Sequence, residues 1–259
     1  TALAPESGEA HLAMSVALIQ RDDAAQSLRY ALDAVALAPS LAEAHQVVGR
    51  VLAETGPLDL ASRFLSRATE LDAVSPTSRV ELARVCALLG ETDRARAHLD
   101  EALRLTAQGS ISGLFARMRF GAWFGDDEQR VATAQMRDAL ATLNSSLPGA
   151  RLLLLLATAF DDAAPLPDPE TIEAAVQPGA SRRDAFLLQM FIEKSCQRGD
   201  LVLARRLLAR SVGAGLYDVC WLEHCPLLAA LREDPEAAKL LAEVAARAAA
   251  IRAVLPKPS

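Results

Sequence analysis

The stretch AEAHQVVGRVLAETGPLDLASRFLSRATELDAVS, residues 42–75, decides the fold. It reads as two helical halves broken at Gly56-Pro57, with small residues at Gly49, Ala61 and Ala68 and larger apolar ones at Leu52 and Leu65. The windows on either side, 8–41 and 76–109, align with it without a gap at the same 34-residue length. Ser15, Gly49 and Ala83 are then equivalent, as are Ser27, Ala61 and Ala95, and Ala34, Ala68 and Ala102; all nine are small. Leu18, Leu52 and Cys86 share one apolar slot, and Ala31, Leu65 and Leu99 another. Asp22, Gly56 and Gly90 fall at the break between halves, where the backbone needs a turn-compatible residue. Pro39 closes the first unit, as proline stops a helix.

Such spacing describes an antiparallel pair of helices of about 14 residues each. Small residues let the two backbones approach, and larger apolar ones fill the groove to the next pair. One hairpin cannot bury its own apolar face, so the units must stack. The period, the small positions, the central glycine and the closing proline resemble the tetratricopeptide repeat. The family's large aromatics are reduced to Tyr30 and Phe64, and His11 and His45 stand at its tryptophan-like position. The resemblance implies an all-α, right-handed superhelical solenoid of helix pairs, with units near 8–41, 42–75, 76–109 and 113–145. The fourth unit needs about three inserted residues, with Asp127 at its break and Ala132 and Ala139 at its small positions.

Residues 146–259 read as degenerate helical repeats continuous with the first part, the alternative being a domain boundary at SSLPG, 145–149. ARLLLLLATAF (150–160), the turn APLPDP and the short ETIEAAVQ form one candidate hairpin, closed by Pro178-Gly179. A clearer unit follows, with Gly199 at its break and Ala204 at a small position. Pro235 is expected to open a last helix whose stripe of Leu240, Leu241, Val244, Ile251 and Leu255 caps the open end of the solenoid. The run containing Trp221, Leu222, Pro226 to Leu228, Leu231, Arg232, Asp234 and Pro235 is similar to the end of the repeat region in bacterial signalling proteins, serine/threonine kinases among them. It departs from them after Asp234-Pro235, where EAA stands. That resemblance implies a regulatory C-terminal region whose catalytic domain lies upstream, and the opening TALAPESGEA, without methionine, fits a fragment.

Composition supports helix: the 259 residues are 51% hydrophobic but only 4% aromatic, and the β-branched enrichment of strands is missing. A net charge of −6 argues against a nucleic-acid partner, which calls for a basic face. The longest apolar run is about half the length a bilayer needs, so no membrane partner is expected. Four unevenly spaced cysteines make no disulfide framework, and a reducing, cytoplasmic setting follows as the expectation.

Catalytic motifs are missing: the sequence holds no phosphate-binding glycine loop, no G-x-S-x-G elbow and no H-E-x-x-H. The pairs Asp22-Asp23, Asp126-Asp127 and Asp161-Asp162 sit at turns and read as helix caps. No enzyme and no cofactor are therefore expected. The tetratricopeptide resemblance implies a concave groove lined by the first helix of each hairpin. By position it holds Glu9, Leu12, Val16 and Ile19, then Glu43, Gln46, Arg50 and Glu54, then Thr77, Val80, Arg84 and Leu88. Arg50 and Arg84, one repeat apart, would grip a carboxylate or phosphate of a protein or peptide partner, or else pair with Glu54, Glu81 or Glu43. Homo-oligomerisation is compatible with such a surface. The competing reading is a metal- or redox-responsive domain built on Cys220, His224 and Cys225, with Cys196 as a further ligand. In YDVCWLEHCPLL (217–228), however, Cys225 points about 100° from His224 on a helix, and a structural zinc wants four converging ligands. The segment reads better as an apolar plug before the last helix.

Overall fold

Alanine, leucine and arginine pay little entropy in a helix, and the fold uses helix throughout. The computed structural model describes residues 6–106, 111–125, 127–141, 150–176 and 182–256; within these there are fifteen α-helices, a 3-10 turn and no strand. The alternative boundary at 145–149, Asp126 and Pro178-Gly179 lie outside the described residues. The chain is all-α and divides into two compact units. The first comprises Thr1–Leu105, Tyr217–His224 and Leu241–Ser259, and the second Thr106–Leu216 and Cys225–Leu240.

In the first unit, α1 (Gly8–Ile19), α3 (Ala42–Thr55) and α5 (Pro76–Leu88) begin at the three window starts. Their partners α2 (Ala24–Leu37), α4 (Leu58–Leu71) and α6 (Thr92–Leu105) keep the same 34-residue period. Each first helix packs on the second helix of its own hairpin, and each second helix on the first of the next. This is the stacking of a helical repeat.

All nine small positions are buried. At Gly49 the reason is contact distance: an added Cβ would lie 2.6 Å from Leu65 Cγ and 3.2 Å from Leu65 N. Where the first repeat carries serines, Ser15 Oγ donates to the Ser27 carbonyl at 2.8 Å and lies 3.0 Å from Ser27 Oγ. The polar pair is thus satisfied inside an apolar seam. Asp22, Gly56 and Gly90 take φ of 59°, 74° and 78°, so the break demands the left-handed region rather than a loosely turn-compatible residue. His11 and His45 share one packing niche, against Tyr30 at 5.5 Å and Phe64 at 5.8 Å.

The second unit contains α7 (Ile111–Phe124), α8 (Glu128–Ala141), α9 (Ala150–Ala159), α10 (Pro169–Ala175), α11 (Arg182–Gln197) and α12 (Leu201–Gly213). The fourth hairpin starts at Ile111, two residues before the expected Gly113. Its left-handed residue is Gly125, φ 68°, and not Asp127. Asp127 instead stands just before α8, its carbonyl accepting from the Arg130 N–H. Leu114, Met136, Leu140 and Ala157 form the core here, so α7 and α8 belong with α9 and not with the first three hairpins. The compact units divide after Leu105, before this hairpin.

Gly199 does mark a break, at φ 76°. Asp162 is not a cap: it accepts from the fully buried Lys194 Nζ at 3.0 Å. Burial pushes the Lys194 pKa down, with Asp162 opposing. Arg119 is buried, its guanidinium bonded to Glu193 and Gln189 and lying 5.0 Å from the Trp123 ring. Arg198 donates to the carbonyls of Ala159, Asp161 and Ala164, which ties down the proline-rich turn before α10.

After α12 come α13 (Val219–His224), a 3-10 turn (Pro226–Leu228), α14 (Ala229–Arg232) and α15 (Ala238–Arg252). The last helix begins three residues after Pro235, because Asp234 turns the chain first, accepting from the Glu236 N–H. Val244, Ala248 and Ile251 are its buried stripe, while Leu240, Leu241 and Leu255 are half-buried. Its residues from Leu241 on belong to the first unit, and Arg252 donates to the Thr55 carbonyl at the end of α3. The helix expected to cap the last hairpin is thus fastened, at its C-terminal end, to the second one.

Candidate partner-binding groove

The groove residues fall into three levels of exposure along α1, α3 and α5. Glu9, Glu43 and Thr77, the repeat-equivalent first row, are exposed. Val16, Gln46, Arg50, Glu54 and Val80 are half-buried, whereas Leu12, Ile19, Arg84 and Leu88 are buried.

What covers α3 and α5 is α13, which packs on both. Asp218, the residue before α13, uses its two oxygens separately. Oδ1 accepts from the Trp221 N–H at 3.1 Å, capping the helix, and Oδ2 accepts from Arg84 Nη2 at 2.6 Å. A carboxylate at a helix start also meets the positive end of the helix dipole. Burial works against the charge on Arg84, but Asp218, with Glu54 and Glu81 contributing, holds its pKa above the ordinary arginine value.

Arg84 is therefore not open to a ligand in this structure, and its pairing partner is none of Glu43, Glu54 or Glu81. The missed partner lies 134 residues away in sequence. An aspartate three residues before Trp221 was a legible cap signal, but no local pattern could show which guanidinium it would face. Arg50 differs from Arg84: among the described residues it has no ion-pair partner, and its Nε is buried without a hydrogen bond.

At one end of the groove, a cleft of about 290 Å³ is lined by Pro57, Leu89, Cys220, Glu223, His224 and Arg252, among others. Among the described residues no group of three or more His, Cys, Asp or Glu side chains comes together to hold a metal ion. Burial pushes the Cys196 and Cys220 thiols up to about 12 and raises Cys225 well above the ordinary thiol value. Thiolate is the form that binds metal or reacts, so burial works against the roles suggested for these cysteines. All four cysteines are buried and unpaired.

The stacked hairpins of the first unit form a helical repeat with a 34-residue period. No family model matches the sequence, and no curated protein matches it either. Among solved structures, the chain is similar to the TPR domain of P58(IPK), at 12% identity over 98% of this chain and 91% of that one, with a TM-score of 0.25. A superposition that loose adds nothing to what the hairpins themselves establish. No helix among the described residues is long and apolar enough to cross a membrane.

Proposed function

We propose that this protein is a non-catalytic interaction module that binds a peptide or protein along the face formed by α1, α3 and α5. The observation that carries the reading is α13: a short helical segment already lies on α3 and α5, held by a carboxylate on Arg84. A surface that seats one helical segment has the shape and charge to take another, as in helix-in-groove recognition. Glu9, Glu43, Gln46, Thr77, Val80 and Val16 supply the accessible part of the surface, and the unpaired Arg50 supplies a cation for a partner's carboxylate. No observation favours a metal- or redox-responsive role.

The test is retention of co-purifying proteins by wild type and by Arg50→Glu, with circular dichroism confirming an unchanged fold. Loss of a retained partner in the variant is expected; equal retention would place the partner elsewhere. Arg84 is unsuited to this test because its removal disturbs the fold itself.

The finer reading is that the chain is the regulatory C-terminal region of a bacterial serine/threonine kinase, working in the cytoplasm. Its support is the tail run from Trp221 to Pro235. It requires a kinase catalytic domain upstream of Thr1 in the same reading frame, and a frame that encodes none removes it.

A further inference from the structure

The segment seated on α3 and α5 states what kind of ligand that seat accepts. Its helix is six residues long, too short to persist in water by itself, so the seat orders it. The segment contributes one doubly used carboxylate, Asp218, and an apolar first turn in which Val219, Cys220, Trp221 and Leu222 are all buried. The seat contributes Arg84, which meets that carboxylate at 2.6 Å, and one repeat earlier Arg50, which meets none among the described residues.

The segment is also bounded by break points. Before it stands Gly215 at φ 92°, with nothing within 4 Å of where a side chain would begin; after it, Cys225 and Pro226 end the helix. A short helix between two breaks can leave its seat without unwinding a longer element. Such an opening is sub-global, with a free energy of its own between that of fraying termini and that of global unfolding.

Building on the groove reading above, we propose that the α3–α5 face is a binding seat for a short helix of a protein partner, one capped by an aspartate and followed by an apolar first turn. Residues 217–224 are the resident occupant that such a partner displaces. The resident lowers the partner's apparent affinity by the fraction of time the seat is open. Weakening its hold therefore raises affinity without altering any residue of the seat.

Two measurements on the full chain test this. In hydrogen exchange of the wild type, amides of 219–224 are expected to exchange at least about tenfold faster than the protected amides of α3 and α5. A labelled peptide of residues 216–225 is expected to bind Asp218→Asn at least about tenfold more tightly than wild type, and to lose at least about tenfold when its own aspartate is replaced by asparagine. Equal protection of α13 and its seat overturns the proposal, as does peptide binding indifferent to both changes. A concentration-dependent wild-type dimer that takes up no peptide assigns the occupant to a second copy and overturns it too. Should Asp218→Asn fail to fold, the exchange measurement on wild type decides alone. If this inference fails while Arg50→Glu still releases a partner, the interaction reading stands; if both fail, it falls.

Discussion

Replacing Arg84 by methionine is expected to be the most damaging single exchange among the groove residues. The Arg84 and Asp218 side chains are 9% and 7% exposed and meet at 2.6 Å. Removing the guanidinium leaves a carboxylate where water barely reaches. Breaking a buried ion pair by deleting one partner costs about 3–5 kcal/mol. For a chain of this length each kcal/mol lowers Tm by about 2–4 °C, which gives a drop of roughly 6–20 °C in a thermal melt followed by circular dichroism. Adding Asp218→Asn to Arg84→Met removes the orphaned charge while asparagine still caps α13, so most of the loss should return. Asp218→Ala also deletes the cap, adding about 1 kcal/mol to the cost of losing the pair. The double-mutant cycle should show a coupling of at least about 2 kcal/mol. Local release of α13 sets a ceiling on all these losses, because a detached segment frees Arg84 to meet water. Single and double variants that melt together with wild type, with no coupling, would refute the claim that this pair fastens α13.

Gly49→Ala is expected to destabilise despite alanine's better helix propensity. Its Cβ would sit 2.6 Å from Leu65 Cγ, and overpacking should outweigh the propensity gain by about 1 kcal/mol in urea denaturation. Ser15→Ala should cost about 1 kcal/mol by orphaning buried Ser27, while Ser15→Ala with Ser27→Ala, which restores the alanines of the third repeat, should lie near wild type. Gly90→Ala should cost about 1–2 kcal/mol because φ is 78° there. The thiols give a pH dependence. Burial raises Cys86 to about 11 and Cys196 and Cys220 to about 12, above the ordinary 9.0. The folded state thus keeps these protons longer than the unfolded one, and stability present below pH 9 falls as pH rises toward 12. The urea midpoint should drop between pH 8 and pH 10.5, and at pH 8 Ellman's reagent should react with the cysteines only on unfolding.

The repeat was legible because its determinants are local and periodic. A left-handed break at Asp22, Gly56 and Gly90, a small residue where two backbones touch at Gly49, and an apolar slot at Leu52 each follow from the chain within one hairpin, and 34 residues later the same requirement returns. The helices of the first three hairpins and their pairing are therefore readable from the chain by itself. The fourth hairpin shows the limit of that method: Gly125 takes the left-handed turn in place of Asp127, since one aperiodic glycine suffices to move a break. Where the tail goes could not be read at all. The pairing of Asp218 with Arg84, the fastening of Arg252 to the Thr55 carbonyl and the return of 217–224 and 241–256 to the first unit depend on contacts between residues more than a hundred positions apart. No periodicity carries such contacts; only the folded arrangement of helices decides which charge ends beside which. The stretch YDVCWLEH therefore read as an apolar plug in sequence, and only the tertiary structure showed that Asp218 caps its helix and meets Arg84.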